Sequence, residues 1–102
     1  MTDELQQLQS WYLAQCDSDW EHSYGVSIDT LDNPGWSLKI DLRGTPLEDL
    51  AFEPVVIERN DNDWVNCRLE EMKFMGFGGP RNLGELIRTY LEWAQKHGCT
   101  SA

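Results

Sequence analysis

Residues 24–43 read YGVSIDTLDNPGWSLKIDLR, and this stretch decides the fold. Before its turn, Tyr24, Val26 and Ile28 fall on one face of an extended chain, and Ser27 and Asp29 fall on the other. After the turn, Trp36, Leu38, Ile40 and Leu42 alternate with Ser37, Lys39, Asp41 and Arg43. A half-buried strand requires this alternation, because successive side chains point to opposite faces. Between the runs lies Asp32-Asn33-Pro34-Gly35. Proline presets its own φ, and glycine allows the positive φ that a type II turn needs next. The stretch therefore predicts an antiparallel hairpin with one buried face, its first strand covering 21–31.

Downstream, Gly44 to Leu50 reads as a connection and 52–59 as a third strand, with Pro54 near its start, where a missing donor is tolerated. Asn60 to Asp63 is a turn. Residues 64–75 alternate Val65, Cys67 and Leu69 against Trp64, Asn66, Arg68 and Glu70, which predicts a fourth strand. Gly76-Phe77-Gly78-Gly79-Pro80 reads as a flexible break. Asn82 is placed to cap a helix, with Glu85 in the capping-box position, an apolar stripe from Leu83 to Ala94, and Gly98 at the end. Upstream, Leu5, Leu8, Tyr12 and Leu13 recur at helical spacing over 3–16 with Trp11 beside them, and the polar run Cys16 to Asp19 breaks that helix. The expected fold is one α+β domain over 1–102. An antiparallel sheet of four to five strands carries an N-terminal and a C-terminal helix on one face. The opposite face, presenting Glu21, Ser23, Ser27, Asp29, Ser37, Lys39, Asp41, Asn66, Arg68 and Glu70, is expected to be open and mostly acidic.

The chain has 102 residues, 18 acidic and 8 basic side chains, and a formal charge of −10. Such a charge repels phosphates, so no nucleic-acid partner is expected, and it favours a basic one. Three cysteines, Cys16, Cys67 and Cys99, stand at wide spacings with no CxxC pair, as expected of free thiols in a reducing compartment. The polar N-terminus is unlike a signal peptide, and no apolar run approaches the roughly 18 residues that span a bilayer. A cytoplasmic protein with no membrane partner is the expectation.

No motif points to a cofactor or metal. Asp17, Asp19 and Glu21 have the spacing that opens a calcium loop, but His22 and Ile28 stand where the loop needs glycine and a bidentate carboxylate. The glycine run at 76–79 lacks the Lys-Ser/Thr ending of a phosphate loop. Cys67 falls on an apolar face, as an inert core thiol would. Trp20 and Trp64 adjoin acidic turns and are the tryptophans expected to be available for contact.

The runs Trp11-Tyr12-Leu13-Ala14-Gln15-Cys16-Asp17, Asp19-Trp20-Glu21-His22, Tyr24-Gly25-Val26 and Thr30-Leu31-Asp32-Asn33-Pro34-Gly35-Trp36 resemble the immunity protein 53 family. That resemblance implies a stoichiometric inhibitor of a cognate toxin domain from a bacterial polymorphic toxin system, and no enzyme. Many toxin domains act on nucleic acids through basic clefts, where carboxylates can stand in for phosphates. The residues expected to meet such a toxin are Asp17, Asp19, Trp20, Glu21, Asp29, Asp41, Asp61, Asp63, Trp64 and Glu70. Two alternatives belong to other classes. One is a small enzyme using Cys16 or Cys67 with His22. The other is an acidic adaptor or nucleic-acid mimic.

Overall fold

The computed structural model describes residues 3–97, so Gly98 and Cys99 lie outside the described residues. Helix α1 spans Glu4–Gln15, and a one-turn helix α2 spans Trp20–Ser23. Strands β1 (Val26–Leu31), β2 (Gly35–Asp41), β3 (Val55–Asn60), β4 (Asp63–Glu70) and β5 (Lys73–Gly78) follow, and helix α3 covers Leu83–Lys96. The strands form one antiparallel sheet in the order β1-β2-β5-β4-β3. This is the expected α+β architecture with five strands.

The decisive hairpin forms, with Leu31 opposite Gly35 and Val26 opposite Ile40. Its first strand is shorter than expected. Residues 20–23 coil instead, because the Asp17 carboxylate accepts the amides of Asp19 and Trp20 while Glu21 accepts those of Asp17 and Ser18. This reciprocal locking satisfies the free amides at the start of a helical turn. Gly35 also serves a different purpose from the one its sequence context suggests. Among the described glycines only Gly44 has a positive φ. Gly35 is required by close approach: a Cβ there would strike the carbonyl oxygen of Gly78 on the adjacent strand β5.

The largest departure lies at 64–78. The expected single strand is two, β4 and β5, joined by a tight turn at Glu71 and Met72 with φ of 52° and 61°. Two successive left-handed residues make the turn whose twist matches a hairpin, although neither is the glycine or asparagine that usually marks it. The glycine run expected to be a break is thus largely strand. Gly76 and Gly78 lie in β5, the central strand, under α3. A Cβ on Gly78 would come within 3.0 Å of the Asn82 Cβ and 3.4 Å of Leu86. Bare backbone here lets the helix sit low on the sheet.

Helix α3 supplies Leu86, Ile87, Tyr90, Leu91, Trp93 and Ala94 to the core, facing Leu38 and Ile40 of β2, Val65 and Cys67 of β4 and Phe74 of β5. The connection from β2 to β3 closes one end with buried Leu42 and Leu47, and is tied to α3 by a 3.0 Å bond from the Trp93 indole to the Ala51 carbonyl. Helix α1 packs mainly against α3. Its buried residues are Leu8 and Trp11, while Leu5, Tyr12 and Leu13, expected in its apolar stripe, are exposed. The buried stripe is centred on Leu8 and Trp11; Leu5 and Tyr12, three before and four after Leu8, flank it on one side, and Leu13 points away.

Candidate interaction surface

With α3 on one face, strand register fixes what the other presents. One row across the sheet runs Asp29, Ser37, Phe77, Asn66, Val56, and the next runs Ser27, Lys39, Met75, Arg68. A third places Lys73 between Asp41 and Glu70. This face was expected to be mostly acidic and is not. Lys39, Arg68 and Lys73 occupy its middle, with Asp29, Asp41, Glu58 and Glu70 toward its margins. The reason is β5: the end of the single strand expected over 64–75 and the start of the expected break at 76–80 together form a separate central strand, which brings Lys73, Met75 and Phe77 onto this face.

Arg68 is the most constrained of these side chains. Its guanidinium lies 5.2 Å from the centroid of the Phe77 ring. Glu70 accepts from its Nε at 3.2 Å, and the Asn66 side-chain oxygen accepts from Nη1 at 3.4 Å. A guanidinium stacked on an aromatic face and bonded at its edge has fewer rotamers open to it than a free surface arginine. Phe77, Met75 and Trp64 are half-buried, and Val56 is 62% exposed.

The ten residues expected to form a contact fall in three places. Asp29, Asp41 and Glu70 lie on the open face, and half-buried Trp64 shares it. Asp17, Asp19, Trp20 and Glu21 form the α1–α2 corner. Asp61 and Asp63 lie at the β3–β4 turn, the opposite end of β4 from Glu70 and about 23 Å from it at the usual strand rise. No single small patch unites them. Trp20, expected to be exposed, is a core residue at 5% exposure. Its indole donates to the Arg43 carbonyl at 2.7 Å, and its ring packs on Trp11, Tyr12 and Tyr24. Several carboxylates are held by the fold. Backbone amides, chiefly those of Trp20 and Asp19, lower the Asp17 pKa, and the amides of Glu21 itself, Asp17 and Ser18 lower that of Glu21. Asp41 accepts the Gly25 amide at 3.2 Å.

At the β3–β4 corner, Asn82 stands at the N-cap of α3 as expected, but its side chain makes no cap bond to the helix amides. Its side-chain nitrogen donates to Asp63 at 3.0 Å and to Glu85 at 2.9 Å, and Arg59 bonds both carboxylates. The Asn82 amide first, then Arg59, lowers the Asp63 pKa, and Arg59 first, then Asn82, lowers that of Glu85. These four depressed carboxyls give a pH dependence. Each contributes stability above its unfolded value, 3.8 for Asp and 4.5 for Glu, that is lost as pH falls through the lower folded value. Urea-unfolding stability is expected to be level from about pH 7 to 5 and to fall steadily below about pH 4.5. Asn82→Ala should flatten that acid limb, and an unchanged limb would mean the corner does not hold its carboxylates.

Burial pushes the Cys67 thiol up to about 12 and leaves it without exposed surface, as its apolar-face position implied. Cys16 is half-buried, its sulfur 3.3 Å from the Tyr12 carbonyl oxygen. Among the described residues no three His, Cys, Asp or Glu side chains gather as a metal site, and no helix is long and apolar enough to cross a membrane. The sequence reading missed Met75, Phe77 and Lys73. Their signal was the alternation of Lys73, Met75 and Phe77 with Phe74, Gly76 and Gly78, hidden by the glycines. A protein-family model described as immunity protein 53 matches residues 5–95, nearly the whole described fold. No curated protein and no solved structure matches the chain.

Proposed function

The chain belongs to the immunity protein 53 family, and from that premise we propose that it binds a cognate toxin domain stoichiometrically and blocks it without chemistry of its own. The observation carrying this reading is the family match over 5–95 on an acidic domain of net charge −10. The partner that suits this charge is a basic toxin domain, of which a nuclease cleft is the clearest chemical example, met in the cytoplasm of the cell under attack. Asp19, Asp29 and Asp61 support a steering role in particular. Among the described residues their side chains make no hydrogen bond or ion pair, so their charge is free to act on a partner at long range. Asp17, Glu21, Asp41, Asp63 and Glu70 add to the same field while also holding local structure.

Co-expression with the toxin domain encoded beside this gene tests the proposal. Growth should be restored, and a one-to-one complex should co-purify. Cys16→Ala with Cys67→Ala should protect equally well. Absence of both rescue and complex overturns the reading, and loss of protection in the double alanine variant would favour thiol chemistry instead.

A further inference from the structure

Charge can bring a basic partner close, but the open sheet face has the composition of a surface that holds one. Its centre is Phe77, Met75 and Arg68 on adjoining central strands, with Val56 at the end of the Phe77 row. Aromatic, methionine and arginine side chains are the types enriched at interface centres, and arginine and aromatics dominate their energetics. The stacked, doubly bonded Arg68 is restricted by these contacts, so less side-chain freedom is lost on docking than for a free surface arginine. Around that centre stand Asp29, Asp41, Glu58 and Glu70 together with Lys39, beside Met75, and Lys73, which lies 4.0 Å from Asp41. The core of the domain is on the other face, and Phe77 and Met75 are left half-buried, with Arg68 lying over the Phe77 ring.

We infer that the uncovered face of the sheet is the docking site for the toxin domain, with Phe77, Met75 and Arg68 as its anchor and the marginal carboxylates meeting basic side chains around an apolar projection on the toxin. This rests on the toxin-binding reading and deepens it by naming the surface and the complementary chemistry. Charge complementarity selects the occupant. The chain as a whole carries −10, and among the described residues Asp29 and Glu58 on the outer strands of this face make no side-chain hydrogen bond or ion pair, which fits a basic protein with an apolar knob. A second copy of this chain, at −10, would set like charges against each other.

Anchoring and steering act on different rate constants, and this separates the two proposals. Loss of an anchor speeds dissociation, whereas loss of a rim charge slows association. The probe is the toxin domain encoded beside this gene, inactivated at its catalytic residue, binding the full chain. Met75→Asp and Arg68→Ala should each weaken binding by about thirtyfold or more through faster dissociation, with association nearly unchanged. Thermal unfolding of each variant shows whether it is folded. Hydroxyl-radical labelling of the unmutated complex needs no substitution. Met75 and Phe77 should be shielded on binding, and Leu13 on α1 should keep its labelling. Shielding of Leu5, Tyr12 and Leu13 with Met75 unchanged would overturn the inference and place the contact on α1. Self-association that masks Met75 without toxin would overturn it in favour of a second copy. Absence of any complex would be the failure of the toxin-binding reading itself.

Discussion

Trp11→Ala is expected to lower the unfolding free energy by about 3–5 kcal/mol, the usual cost of truncating a buried tryptophan. Trp11 is 1% exposed and meets the Tyr90 ring edge-on at 5.2 Å and the Trp20 ring at 6.0 Å. Such aromatic pairs add to the area they bury. The position matters as much as the size. Helix α1 has two buried residues, Leu8 and Trp11, and packs mainly against α3, so Trp11 is the main tie between α1, the α2 corner and the core. A domain of this length has roughly 5–15 kcal/mol in all, so the variant should melt at least about 12 °C lower. Leu13→Ala, at a site 71% exposed on the same helix, should change stability by no more than about 0.5 kcal/mol. Urea and thermal unfolding of both variants make the comparison. A loss below about 1 kcal/mol for Trp11→Ala would mean that α1 is not docked through this residue.

The second large effect concerns association. Reversing Asp19, Asp29 and Asp61 to lysine adds two charges at each site and takes the net charge from −10 to −4. None of the three side chains holds local structure, so the fold should survive. Association with the inactivated toxin domain should slow by about 10–100-fold at low ionic strength, because steering by a charged surface raises on-rates by that order. The difference from the unmutated protein should shrink as salt rises toward 0.5 M, where screening acts within a few ångströms. Dissociation should barely change. Stopped-flow association across a salt series gives both quantities. Equal association rates for the two proteins at low salt would remove the acidic surface from the mechanism, leaving the apolar centre of the sheet to explain binding.

What the sequence determined by itself was local. Alternation on both sides of Asp32 to Pro34 specified the β1–β2 hairpin, because a period of two permits one buried face and the proline presets its own φ in the turn. The stripe from Leu83 to Ala94 specified α3 for the equivalent reason at helical period. The net charge and the family resemblance likewise needed no coordinates. The tertiary structure decided what depends on non-local contact. Gly76 and Gly78 look like a hinge until α3 is seen lying over them, since a missing side chain is identified by what fills its place. The Glu71–Met72 turn carries no glycine or asparagine, so only pairing between β4 and β5 reveals it. Trp20 lies beside acidic residues in sequence yet is buried, because its ring finds Trp11 and Tyr24 and its indole finds the Arg43 carbonyl. The open face follows from the same cause. Once β5 occupies the centre of the sheet, Phe77, Met75 and Lys73 stand among residues from four other strands, and a surface read from one strand at a time as acidic becomes an apolar and cationic centre with an acidic margin.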